Sequence, residues 1–138
     1  MRWILAMLTV LVFAGCGDVT WFPDKAATGG ATGNAPDSFT FPLVTNITPG
    51  QIAQSAAVTI KGTQTAGWSI SVADAGGNVT GSQYSISGRA ATSTPGTILP
   101  NETLTISHKT GTGFATIGTT KVTVGTFTTT FQSQTTNQ

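Results

Sequence analysis

The chain has 138 residues, of which 8% are charged, and a formal net charge of +1. That length accommodates one ordinary domain with accessories, not two. A nearly neutral chain has no field to draw it onto phosphates, which argues against nucleic-acid binding, and a single Cys excludes an internal disulfide. Thr is the commonest residue, and 17 Gly and 38% hydrophobic residues accompany it. Thr favours strands over helix interiors, so the composition points to a folded, turn-rich β protein.

Residues 1–15 read as an export signal. Arg2 supplies the positive start, Trp3 to Phe13 form an apolar run interrupted only by Thr9, and Ala14-Gly15 are small residues before a cut site. A spanning helix needs about 20 apolar residues, more than this run has. Phe13-Ala14-Gly15-Cys16 resembles the bacterial lipobox, with Phe13 where Leu is usual. The resemblance implies lipidation of Cys16, which becomes the first mature residue, and a cell-envelope protein held to the membrane by its lipid. Gly17 rather than Asp follows the Cys, which points to the outer membrane in a cell that has one.

Residues 16–37 then read as the lipidated Cys and a flexible tether, Gly-, Ala-, Thr- and Asn-rich in its second half. About 20 such residues span ~25 Å r.m.s., enough to lift a domain off the headgroups. Trp21-Phe22 interrupts this stretch and suits either a headgroup contact or local packing.

Residues 38–138 carry period-2 alternation. Phe39, Phe41 and Leu43 share one strand face, and Pro49-Gly50 marks a turn. Ala56, Val58 and Ile60 form a second inward row, and Trp68, Ile70 and Val72 a third. Asp74 opens a turn cluster through Asn78, and Tyr84 with Ile86 make a short strand closed by Gly88. A break bracketed by Pro95-Gly96 and Pro100-Asn101 precedes Leu104 and Ile106. Val122 and Val124 then face inward, Gly125 turns the chain, and Phe127, Thr129 and Phe131 alternate with Thr126, Thr128 and Thr130. Seven short strands, each apolar on one face and hydroxylated on the other, need a second sheet to cover them. The expected fold is an all-β, antiparallel β-sandwich.

Trp68-Ser-Ile-Ser, Tyr84-Ser-Ile-Ser-Gly88, Leu104-Thr-Ile-Ser and the closing Val122-Thr-Val-Gly…Phe127-Thr-Thr-Thr-Phe131 resemble the immunoglobulin-like modules of bacterial secreted surface proteins, over roughly residues 38–136. The resemblance implies an immunoglobulin-like sandwich and places Trp68 on the strand where such folds bury a Trp. The paired Cys of antibody domains are absent.

Catalytic residues are scarce. His108 is the sole His, and its parity with Leu104 and Ile106 makes it a hydrogen-bonded residue at a strand end. Asp74 and Glu102 both sit in apparent turns, where Asp commonly bonds its own backbone. No His, Cys and carboxylate set matches a zinc site, and Asp74 to Asn78 lacks the acidic spacing of a Ca²⁺ loop. Asn46, Asn78 and Asn101 fit the glycosylation triplet as coincidences of a Thr-rich chain. No catalytic, metal or cofactor site is therefore expected. The sequence points to a non-enzymatic envelope lipoprotein whose sandwich, with surface groups such as Arg89, binds a protein or a glycan. An assembly accessory that adds a strand to a larger complex comes second, and a cell-envelope hydrolase third.

Overall fold

The computed structural model describes residues 34–138. Nine strands are present there: β1 (Val44–Ile47), β2 (Ile52–Gln54), β3 (Val58–Thr59), β4 (Trp68–Gly76), β5 (Thr80–Ile86), β6 (Gly96–Ile98), β7 (Thr103–Lys109), β8 (Ile117–Val124) and β9 (Phe127–Thr135). They form two sheets, and no helix occurs among the described residues.

One sheet runs β1-β9-β8-β4-β6, and in the other β7 pairs with β2, β3 and β5. The last strand, the one before it and the Trp68 strand thus lie side by side, facing a sheet centred on β7. This is the division of an immunoglobulin-like sandwich. All its pairings are antiparallel except that of β1 with β9, which is parallel.

Alternation builds the core. Ile70 of β4, Leu104 and Ile106 of β7, Val122 and Val124 of β8 and Phe131 of β9 are all fully buried. Phe41 meets Phe131 edge-on at 6.2 Å between ring centres, and Phe39 meets Phe41 in the same way at 5.8 Å. Trp68, at the head of β4, is 2% exposed, as the resemblance implied. Apart from Ile117, 48% exposed at the start of β8, the outward positions of β8 and β9 from Thr119 to Gln132 include Lys121, Thr123, Thr128 and Thr130. Their polar side chains keep that face wetted.

Four local readings need correction. Residues 39–43 do not join a sheet: Phe39 and Phe41 pack inward, but Leu43 is 48% exposed. Pro42 has no N–H to give a ladder, and pairing starts only at Val44. The second expected strand shrinks to β3, and an unforeseen strand, β2, precedes it. β2 pairs Ile52 with Lys109 and Gln54 with Ser107, whereas β3 pairs Val58 with Leu104, one residue out of that register. The extra residue is a bulge, and it swaps the faces. Ala53 and Ser55 point inward before it and Ile60 after it, while Ala56 is exposed. Ser55 secures the break, because its Oγ donates to the Ala56 carbonyl and accepts from the Ile106 N–H. Next, the proline-bracketed break contains β6, which puts Ile98 opposite Trp68 and buries it fully. Finally, Asp74 lies within β4, and the turn is made by Gly77 and Asn78, with φ of +70° and +54°.

The body begins earlier than the alternation. Asn34 accepts from the Thr126 N–H and the Asp37 N–H donates to the Lys61 carbonyl, so residues 34–37 are bonded to the sandwich.

Candidate functional site

A row of polar side chains crosses the interior between the two sheets. Inward alternation along β7 continues from Leu104 and Ile106 to His108, which is 1% exposed. Its Nδ1 lies 2.7 Å from Thr120 Oγ1 of β8, and its Nε2 lies 2.7 Å from Ser133 Oγ of β9. Thr120 Oγ1 also meets Ser82 Oγ of β5 at 2.6 Å, and the Ser82 N–H donates to Asp74 Oδ1 of β4 at 3.0 Å. Five strands therefore contribute one polar residue each, four of them buried and Asp74 exposed at the rim. Gly118 makes the room, since a Cβ there would come within 3.3 Å of both His108 Nε2 and Ser133 Oγ. Phe131 closes one side, its ring centre 5.0 Å from that of His108.

Two proton arrangements satisfy this chain. In one, Nε2–H donates to Ser133 while Thr120 donates to Nδ1 and Ser82 to Thr120. In the other, Ser133 donates to Nε2 and Nδ1–H donates to Thr120, whose hydroxyl then donates to Ser82. Burial lowers the His108 pKa, and the Asp74 charge offsets this only in part. The Ser82 hydroxyl and backbone N–H facing Asp74 hold its carboxyl below the ordinary aspartate value.

Ser133 and His108 stand at the separation of a nucleophile and its base. Both are closed in the core, however, with Ser133 at 0% exposure, so no substrate carbonyl reaches the hydroxyl. The arrangement ties the sheets together, as expected of a hydrogen-bonded core His.

The other candidate residues are engaged separately. Glu102 pairs with Arg89 at 2.9 Å and accepts from the Leu99 N–H at 2.8 Å, closing its turn. This exposed pair is worth ~0–1 kcal/mol and occupies the Arg89 charge that the sequence left for a ligand. Burial raises the Tyr84 pKa, and its hydroxyl donates to the Thr94 carbonyl at 2.7 Å. Asn46, Asn78 and Asn101 all adopt positive φ, which Asn tolerates better than most residues: Asn78 and Asn101 lie in turns and Asn46 at the irregularity within β1. Among the described residues, no three His, Cys, Asp or Glu side chains form a metal-binding group. Cys16, the expected lipidation site, lies outside the described residues.

A second feature was not legible in the sequence. A cleft of about 280 Å³ opens between Asn34, Gln64, Gly67, Trp68, Ser69, Gly125 and Thr126. Two of its lining residues, Trp68 and Gln64, carry a side-chain atom (Nε1 and Oε1) that is buried without a hydrogen-bond partner among the described residues. The cleft joins segments distant along the chain, so no local motif announces it.

No protein-family model matches the chain, and no curated protein matches it. Among solved structures it is similar to domains 4 and 5 of the S-layer protein SbsC, at 21% identity and a TM-score of 0.42, a match that covers 74% of this chain and 50% of that one.

Proposed function

We propose that the chain is a non-enzymatic cell-envelope lipoprotein, anchored through a lipid on Cys16, whose β-sandwich is a protein- or glycan-interaction module. One observation carries the non-enzymatic part. The His that Ser–His chemistry would need is bonded at both ring nitrogens and shut between the sheets. A hydrolase built on it would have to unfold to act. Interaction by surface and cleft needs no such opening.

The strand-adding accessory has less support, because the sheet margins are short or covered. β6 has three residues, and β1 has four with Asn46 at φ +62°. The free side of β5 is taken at Tyr84, which exchanges both backbone hydrogen bonds with Thr92. Such margins offer little length for a partner strand.

The anchor rests on the single Cys directly after Ala14-Gly15. Each buried methylene of an acyl chain contributes ~0.8 kcal/mol, so more than one chain holds stably. Cys16→Ser is expected to move the protein from the detergent phase to the aqueous phase on phase partitioning of cell extracts. Retention of the variant in the detergent phase would overturn the lipoprotein reading. On a glycan array, the released Cys16→Ser protein is expected to bind if the module is adhesive. A stoichiometric envelope complex on native purification, with an unreactive array, would favour the accessory instead.

A further inference from the structure

We infer that the buried polar chain is an acid-sensitive latch on β9, set by a carboxylate at the rim. Asp74 orders the hydroxyls, places the ring hydrogen of His108 on Nδ1, and leaves Nε2, facing Ser133, as the position that takes up a proton. The two proton arrangements of the chain differ at Ser82. In one its hydroxyl donates to Thr120, and in the other it is free for Asp74. The Ser82 hydroxyl faces the Asp74 carboxyl, and the Ser82 N–H already donates to Oδ1 at 3.0 Å. A bond from a hydroxyl to a carboxylate is roughly twice as strong as one between neutral hydroxyls. The Ser82 hydrogen therefore goes to Asp74, and Ser82 Oγ accepts from Thr120 at 2.6 Å. Thr120 Oγ1, its own hydrogen committed, accepts from His108 Nδ1–H at 2.7 Å. Nε2 is then bare and accepts the Ser133 hydroxyl at 2.7 Å. An exposed carboxylate thus fixes the tautomer of an imidazole that is itself 1% exposed.

Acid then acts on one arm of the chain. Around the ring stand Ser82 of β5, Thr120 and Gly118 of β8, Ser133 and Phe131 of β9, and Asp74 of β4 at the rim. Lys109 and Lys121 follow next along their strands but stand exposed on the outward side. Among the described residues, Asp74 is thus the charge that the chain reaches. When Nε2 takes a proton, the Nδ1 arm keeps every bond it had, and the imidazolium faces a chain that ends on a carboxylate. The Ser133 arm has to reverse. Its hydroxyl turns from donor to acceptor, and its hydrogen loses the ring nitrogen that received it. Ser133 is 0% exposed, and His108 is the hydrogen-bond partner of its Oγ among the described residues. A buried hydroxyl hydrogen without an acceptor is costly, so protonation weakens the hold of the core on β9 at this point. Ser133 lies opposite Val44 in the parallel pair, which makes the loosened strand the one that carries β1.

The test reads the ring directly. His108 is the sole His, so the imidazole signals of the untagged, ¹⁵N-labelled full chain in detergent belong to it. At mildly alkaline pH, a two-bond ¹H–¹⁵N correlation spectrum is expected to show the hydrogen on Nδ1. A hydrogen on Nε2 in the parent protein overturns the latch without any variant. Asp74→Ala, at an exposed position, frees the Ser82 hydroxyl for Thr120 and is expected to shift the hydrogen to Nε2. Ser82→Ala cuts the chain midway and is expected to do the same. If Asp74→Ala keeps the hydrogen on Nδ1, the carboxylate does not set the order and the proposal fails. Hydrogen exchange then locates the effect of acid. As the pH falls through the His108 titration, exchange of the Thr136 N–H, which donates to the Ile47 carbonyl, is expected to rise about tenfold over its intrinsic rate before the amides that join β4 to β8 respond. A simultaneous rise in both sets, or an earlier one between β4 and β8, is general unfolding and overturns the latch.

Discussion

His108→Ala is expected to cost about 3–5 kcal/mol, a large share of the ~5–15 kcal/mol that holds a domain of this size. Two losses add. The imidazole leaves a cavity against Phe131, and Ser133 loses its partner on Nε2 inside a dry core. Thr120 is better protected because Ser82 Oγ remains 2.6 Å away. His108→Gln, which keeps a donor and an acceptor, is expected to recover part of the loss in urea denaturation. The same residue sets an acid limit. Its folded pKa lies below the ordinary 6.5, so the unfolded chain takes up the proton first. Stability is then fully present above about pH 6.5 and falls as the pH drops towards the lowered folded value, by at most ~1.4 kcal/mol per pH unit for one proton. Asp74 acts in a separate window, below its ordinary 3.8, where its contribution is lost as the carboxyl protonates. Within the His108 window, below about pH 6.5 and above the range where Asp74 protonates, the His108→Gln profile is expected to be flatter than that of the parent. Equal slopes would mean that His108 is not buried neutral.

Gly77→Ala is expected to destabilise by about 3 kcal/mol or more. A left-handed conformation alone costs a non-Gly residue ~1–2 kcal/mol. At Gly77 an added Cβ would also overlap the Ile117 carbonyl oxygen and lie 2.7 Å from Gly118 Cα. That backbone opens β8, which carries Thr120, so the turn cannot retreat without disturbing the buried chain. Gly88→Ala is the control, because Gly88 has φ +74° but nothing within 4 Å of the added atom. The difference between the two denaturation midpoints isolates the steric part. Equal midpoints would show that the β4–β5 turn yields freely.

Much of the sandwich was legible because its signal is local. Trp68 and Ile70, Leu104 and Ile106, and Val122 and Val124 each declare a face through neighbours two residues away. What failed was information held by the partner strand. The bulge after Ser55 shows only as a change of register against β7, and β6 is three residues that pair because β4 offers Trp68 and Ile70 an open side. His108 could be assigned to the core by parity, but its partners Thr120 and Ser133 resemble the many surface Thr and Ser of this chain. The cleft is further from reach, since Asn34 and Thr126 meet across more than ninety residues, a |i−j| of 92.

The parallel pairing of β1 with β9 bears on how the domain carries load. Val44 sits beside Ser133 and Ile47 beside Thr135, and the Thr136 N–H donates to the Ile47 carbonyl at 2.9 Å. In a parallel pair, tension applied to the start of one strand and the end of the other slides them along each other. The bonds are then strained together rather than opened one by one like a zipper. Tension entering at the N-terminal side of the described residues would first part the Asn34 and Asp37 backbone bonds and draw Phe39 and Phe41 from the core, and would then meet this clasp, which has to shear before the strands behind it separate.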